Sequence, residues 1–369
     1  MGLQPEKGIV NRGNQSRIKA VMKRAKAGEK LTLGFLGGSI TQGSLSSTPK
    51  TCYAYLIYEW WKKTFPEGEF VYLNAGIGGT TSQFGVARAE SDLLRYKPDF
   101  VIVEFSVNDD NNDFFLETYE GLIRKIYGNE KKPAVLIVHN VCYDTGANAQ
   151  EKHLQVGKYY DIPCVSMKET IYPLLQNKEL TNREITPDDL HPNDKGHSLV
   201  AQVITYFLDQ VYAGLSQEEE TEKVFCGPFT PNGFENSVRF QNYNTKAECA
   251  GFEADRREQE NIREIFRNGW TAGRKGDKIT LNIEGTGIAV QYRKSVQKPT
   301  PIAVAVIDGD EEKAITLDGN FEEDWGDCLY LTAAVTGLEH KIHKVEIRIV
   351  EAHEEDAVPF YLVSVIGSF

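Results

Sequence analysis

Long apolar runs are missing from this chain. No stretch reaches the ~18 consecutive apolar residues that a membrane-crossing helix needs. The N-terminal segment, Met1 to Arg12, has no apolar core of the signal-peptide kind. An excess of positive charge is missing too: 41 Lys and Arg stand against 53 Asp and Glu, a formal charge of -12 at pH 7. That balance argues against a nucleic-acid backbone or an anionic membrane as partner, since both require a basic face. Cysteine is sparse, with six residues at 52, 142, 164, 226, 249 and 328 and no Cys-x-x-Cys pair among them. Zinc and thioredoxin-like chemistry are therefore not expected, and the pattern reads as reduced, mostly buried thiols of a cytoplasmic protein. There is no internal repeat and no low-complexity tract.

What remains has the composition of a globular protein, 41% hydrophobic and 25% charged. Its 369 residues exceed the size at which one core usually stops growing, so two domains are expected. Strand-like runs recur at 31–36, 69–73, 100–105, 134–139 and 162–165. Helical patterns lead them at 14–26, separate them at 53–63, 83–94, 114–127 and 147–160, and close the series at 197–212. Strands alternating with helices specify a parallel sheet covered on both faces, and the mostly apolar strands fit that burial. The acidic run 216–222 is the best boundary, giving domains 1–215 and 223–369. Past it, short strands at 278–283, 287–292, 302–307, 344–350 and 360–366, broken by Gly, Asp and Asn turns, imply an all-β sandwich or jelly roll.

Four segments of the first domain carry polar or glycine residues where a parallel sheet opens its ligand crevice. They are Gly37-Gly38-Ser39-Ile40-Thr41, the glycine-rich run from Asn74 to Ser82, Val107-Asn108-Asp109, and Asp188-Asp189-Leu190-His191-Pro192. Together they supply a hydroxyl, backbone N–H groups, a carboxamide, a carboxylate and an imidazole, the parts that acyl transfer needs. Read singly, each has a plainer alternative. Ser39 fits a small-residue turn, Asn108 an Asx turn capping a strand, and Gly76, Gly78 and Gly79 turns alone. Asp189 competes with Asp188. His197 reads as a helix-start or surface residue and His139 as a satisfied core histidine. His340, His343 and His353 lie among acidic residues, with no metal site expected.

In their order and strand-end contexts the four segments resemble the SGNH, or GDSL-type, hydrolase superfamily over roughly residues 31–213. Ile40 departs from the Asp, Asn or Ser that many members carry after the serine. The resemblance implies a flavodoxin-like α/β fold, a three-layer parallel sheet. It also implies Ser39 as nucleophile, His191 as base, Asp188 (selected by the family's Asp-x-x-His spacing) as its orienting carboxylate, and an oxyanion hole from Ser39 N–H, Gly79 N–H and the Asn108 carboxamide. No metal or cofactor is implied. The second domain is similar, more loosely, to jelly-roll, galactose-binding-like domains found beside such hydrolases. That pairing implies removal of O-acetyl groups from a glycan such as acetylated mannan or xylan, through an acetyl–Ser39 intermediate. Trp325, in a polar loop, fits either a stacking platform for a sugar ring, with its N–H on a hydroxyl, or a loop anchor. The alternatives are a lipase or thioesterase of the same superfamily, and a non-catalytic glycan-binding protein with a degenerate hydrolase domain.

Overall fold

The apolar runs of the N-terminal half become one sheet. The computed structural model describes residues 2–217, 221–222, 225–257, 259–332 and 335–369. Its first strands are β1 (Ile9–Asn11), β2 (Lys30–Gly37), β3 (Glu69–Gly76), β4 (Phe100–Glu104), β5 (Ala134–His139) and β6 (Cys164–Ser166), in the order β1-β6-β5-β4-β2-β3. β2 to β6 pair in parallel; β1 adds an antiparallel edge strand that the sequence did not announce. Without β1 the order is 2-1-3-4-5, the flavodoxin arrangement, whose crevice opens between the first and third strands at their carboxyl ends. Here that is between β2 and β4. Every residue of β4 and β5 is buried, because helices cover both faces.

The helices are α1 (Ser16–Lys26), α2 (Ser39–Gln42), α3 (Tyr53–Thr64), α4 (Ser82–Asp92), α5 (Asp113–Tyr127), α6 (Gln150–Tyr159), α7 (Ile171–Gln176), α8 (Asn182–Ile185) and α9 (Asp194–Ala213). α9 starts where the Asn193 side chain accepts the Gly196 N–H, a side-chain N-cap. Its buried stripe, Val200, Val203, Ile204, Phe207, Leu208 and Val211, joins the core with α1 and α3. Each large apolar side chain so buried contributes about 1.5–3 kcal/mol.

Two compact units result, Met1–Asn232 and Gly233–Phe369. The division thus falls after the acidic run at 216–222, of which residues 218–220 lie outside the described residues. The segment beyond that run stays with the first unit for a physical reason. Phe225 packs on Tyr127 and Tyr160, Phe229 on Tyr159, and Glu120 accepts the Phe229 and Thr230 amides at 2.9 Å each.

The second unit contains β7 (Val238–Phe240), β8 (Ala247–Ala250), β9 (Glu253–Ala254), β10 (Trp270–Ala272), β11 (Lys278–Gly285), β12 (Gly287–Lys294), β13 (Ile302–Ile307), β14 (Ile315–Asp318), β15 (Cys328–Leu331), β16 (Lys341–Glu351) and β17 (Phe360–Ser368). They form two antiparallel sheets, β15-β12-β17-β10-β9 with β7 also on β17, and β14-β13-β16-β11-β8. β11 and β16 alternate, sending Ile279, Leu281, Ile283, Val345, Ile347 and Ile349 into a core shared with Val290, Tyr292, Leu362 and Val365 of the other sheet. This is the sandwich that the short alternating strands call for.

Candidate active site

Ser39 is the first residue of α2, directly after β2, and is 6% exposed. The chain turns this tightly because residue 37 has no side chain: a β-carbon on Gly37 would lie 2.2 Å from Thr41 Oγ1 and 2.4 Å from the Glu104 carbonyl oxygen. The expected small-residue turn is thus a single helical turn with the serine at its head, ended by Gly43 at φ 95.

His191 and Asp188 lie in the segment between α8 and α9. Asp188 Oδ2 is 2.6 Å from His191 Nδ1, and Oδ1 accepts the His191 N–H at 2.7 Å and the Leu190 N–H at 3.1 Å. A carboxylate can only accept, so Nδ1 carries the proton and Nε2 presents its lone pair. That lone pair faces Ser39 Oγ at 2.8 Å. Partial burial works against the Asp188 charge, but the His191 side-chain and backbone hydrogen bonds hold its carboxyl below the usual range. Asp189 turns away: at φ 66, it accepts from Asn182 Nδ2 at 2.7 Å and Arg183 at 2.5 Å, tying the segment to α8. Of the two neighbouring acids, Asp188 is the one on the imidazole.

Around Ser39 most donors are committed. Gly38 N–H donates to Glu104 O at 3.3 Å, Gly76 N–H to Asn74 Oδ1 at 2.9 Å, Ile77 N–H to Gly37 O at 3.1 Å, Gly78 N–H to Gln42 Oε1 at 2.6 Å and Asn108 N–H to Phe105 O at 3.0 Å. Among the described residues, Ser39 N–H, Gly79 N–H and the Asn108 carboxamide NH₂ have no acceptor. These are the three groups expected in the oxyanion hole. An arrangement of hydroxyl, imidazole, carboxylate and three open donors has the parts for nucleophilic acyl transfer.

Other residues that the motifs left aside buttress this centre. Arg88, fully buried in α4, donates to Ala75 O at 2.7 Å and Gly37 O at 3.1 Å, bracing the ends of β3 and β2; nothing in the mixed sequence of α4 marks it. Glu104, an acid ending an apolar strand, accepts the Ser106 N–H at 3.0 Å and hydroxyl at 2.9 Å, shaping the turn that carries Asn108. Burial pushes its carboxyl up to about 7. His197 is at the helix start but not on the surface. Buried in the first turn of α9, it accepts the Tyr53 N–H at 3.3 Å, and burial takes its imidazole down to about 4. His139 is a core residue but not a satisfied one: neither ring nitrogen has a partner among the described residues. Burial, then the neighbouring His153, pushes it well below the usual imidazole range, so it stays neutral.

In the second unit Trp325 is 58% exposed, with its ring edge-on to Phe321 at 5.0 Å between centroids. Its N–H is spent on Glu323 Oε2 at 2.5 Å rather than open to a sugar hydroxyl. The ring and the carboxylate beside it are what the loop offers. His343 is buried on Asp308 Oδ2 at 2.8 Å and the Glu339 carbonyl at 2.9 Å.

Solved structures of known proteins match this chain along its length. A two-domain esterase (CEX) active on acetylated mannans, solved with mannopentaose, is 59% identical over 100% of this chain and 98% of that one, with a TM-score of 0.97. A further structure of a two-domain esterase (CEX) active on acetylated mannans matches at 59% identity over 99% and 98% of the two chains, TM-score 0.97. Residues 35–199 match the GDSL-like Lipase/Acylhydrolase family. Among curated proteins, thioesterase 1/protease 1/lysophospholipase L1 of Escherichia coli (strain K12) is 27% identical over 178 residues, 46% of this chain and 79% of that protein. The acetylxylan esterase of Geobacillus stearothermophilus is 26% identical over 206 residues, 48% of this chain and 92% of that protein.

Proposed function

Because the chain belongs to the GDSL-like lipase/acylhydrolase family, we propose that it is a metal-independent serine esterase that removes O-acetyl groups from mannan-type oligosaccharides. One run of contacts carries this conclusion: Asp188 to His191 at 2.6 Å and His191 to Ser39 at 2.8 Å, beside three open donors. The choice of glycan rests on the 59% identity to an esterase active on acetylated mannans.

The steps follow from the geometry. As Ser39 Oγ bonds to the acetyl carbon, its proton passes to His191 Nε2 and the carbonyl π pair moves onto oxygen. Ser39 N–H, Gly79 N–H and Asn108 Nδ2 hold that oxyanion, each donor being worth about 2.7–4 kcal/mol. Asp188 stabilises the imidazolium and keeps its tautomer. Collapse breaks the bond to the sugar oxygen, which takes the proton from Nε2, leaving acetyl–Ser39. Water then attacks, losing its proton to His191, and the second collapse releases acetate and restores the Ser39 hydroxyl. In the same reading the β-sandwich is a carbohydrate-binding module with Trp325 as a stacking face, supported by that ring's exposure in a polar loop.

Turnover of p-nitrophenyl acetate, with Ser39→Ala as control, tests the chemistry; a wild type no faster than the variant would mean a binding protein. An acyl series from acetate to octanoate tests the substrate class, with a maximum beyond butyrate pointing to a lipase or thioesterase. Product profiles on acetylated mannan and xylan fragments decide the glycan.

A further inference from the structure

The α2 turn presents two polar side chains three residues apart, which puts them on one face, and the mechanism above uses only Ser39. The other is Gln42. Its Oε1 accepts the Gly78 N–H at 2.6 Å. The backbones also meet: a β-carbon on Gly76 would lie 2.2 Å from Gln42 N, so no side chain fits there and Gln42 sits directly on the glycine loop. A β-carbon on Gly78 would lie 3.1 Å from Gln42 Oε1 and 3.6 Å from the Ser39 β-carbon. Gly78 therefore packs against both the Gln42 head group and the Ser39 β-carbon.

That contact sorts the donors of the loop. Asn74 takes the Gly76 N–H, Gly37 the Ile77 N–H and Gln42 the Gly78 N–H, while Gly79, at φ +67, keeps its N–H without an acceptor among the described residues. Glycines at 76, 78 and 79 bring no steric restraint of their own, so unassisted peptides here would sample a wide range of orientations. A preorganised oxyanion donor needs the opposite, a peptide already aimed before the charge develops. The carboxamide of Gln42 supplies that restraint from the same helical turn that carries the serine, so nucleophile and donor are held by one rigid piece.

We propose that Gln42 is a positioning residue of the oxyanion hole: by occupying the Gly78 N–H it holds the glycine loop with the Gly79 N–H open to the substrate carbonyl oxygen. This rests on the esterase reading above. Gln42→Leu keeps the bulk and removes the acceptor. Its kcat on p-nitrophenyl acetate, per site counted by burst titration, is expected to fall about 10- to 100-fold, less than the loss of a whole donor, with KM within about twofold. The Ki of a small alkylboronic acid, whose tetrahedral serine adduct uses the same donors, should rise by the same factor. Should the Leu variant fold poorly, Gln42→Met keeps the chain length and carries the same expectation. A kcat and Ki at wild-type values per titrated site would overturn the assignment. So would a loss confined to thermal stability or to the titratable fraction, which is what a purely structural contact predicts. Ser39→Ala separates the two readings. If it keeps wild-type turnover, the esterase mechanism fails. If it is inactive while the Gln42 variants are normal, only the Gln42 assignment fails.

Discussion

Gly38 and Asn108 share a space with no room for a side chain at 38 while the carboxamide stays in place: a β-carbon there would lie 2.2 Å from Asn108 Oδ1. The Gly38 backbone, at φ -86 and ψ -150, suits any residue, so this contact is what requires the glycine. Gly38→Ala should therefore fold, but it must push the carboxamide out of line with Ser39. Losing one oxyanion donor lowers kcat by about 10²–10³. Kinetics on p-nitrophenyl acetate should give losses for Gly38→Ala and Asn108→Ala in that same range, with thermal midpoints near wild type. A fully active Gly38→Ala would remove Asn108 from the hole.

The two acids of the Asp188-Asp189 pair have separate tasks, and substitution should divide them. In Asp188→Asn the amide donates to Nδ1, so the proton moves to Nε2 and the base is lost. In a serine protease such a change costs about 10⁴ in kcat, and a drop on the order of 10³–10⁴ is expected here. Asp189→Asn weakens only the pair with the largely exposed Arg183, worth about 0–1 kcal/mol, so kcat should hold while the thermal midpoint dips slightly. Equal kinetic losses from the two variants would contradict the geometry. The hydrogen bonds on Asp188 keep its folded pKa depressed, so its support is complete above the ordinary carboxylate pKa and fades as pH falls through the lower folded value.

The site was more legible than its supports. Ser39 and Asn108 lie in chemistry-bearing motifs just past strand ends and His191 in the motif before the closing helix; the topology that brings them together follows from the alternation of strand and helix. β1, three residues long, had no local pattern to betray it; its strand state comes from pairing with β6. The same holds for β9 and β10 in the second unit, which exist through their neighbours. Arg88 and Gln42 act through contacts to backbone atoms distant in sequence, and Glu104 through a turn two residues on; no spacing rule encodes these. The acidic run looked like a boundary because it lacks apolar residues, but Phe225 and Phe229 beyond it pack back onto the first unit.

Trp325 supplies a test of the second unit. With its N–H on Glu323, the exposed ring face is what remains for a sugar, and covering it removes apolar area from water at about 25 cal/mol per Å². Trp325→Ala should raise KM on acetylated mannan oligosaccharides several-fold and leave p-nitrophenyl acetate turnover unchanged. Equal loss on both substrates would mean a loop anchor, and no loss on either would remove the platform.

Two buried groups titrate against each other across the same pH window. Glu104 rises from 4.5 to about 7 on folding. Between those values the folded state holds a proton that the unfolded state has lost, so its contribution to stability is present at low pH and is lost as pH climbs through 7. His197 falls from 6.5 to about 4, so the unfolded state holds the extra proton and stability is lost as pH drops through that range. His139, also depressed, acts in the same sense as His197. Each of Glu104 and His197 is worth at most about 3 kcal/mol over its window. The slopes oppose, so substituting either should tilt the wild-type profile, in opposite directions. Urea unfolding of Glu104→Gln should gain on wild type from pH 5 to 8. His197→Gln should instead gain on wild type from pH 7 down to 4.5. Parallel profiles for all three proteins would mean that neither group is held in the state its burial dictates.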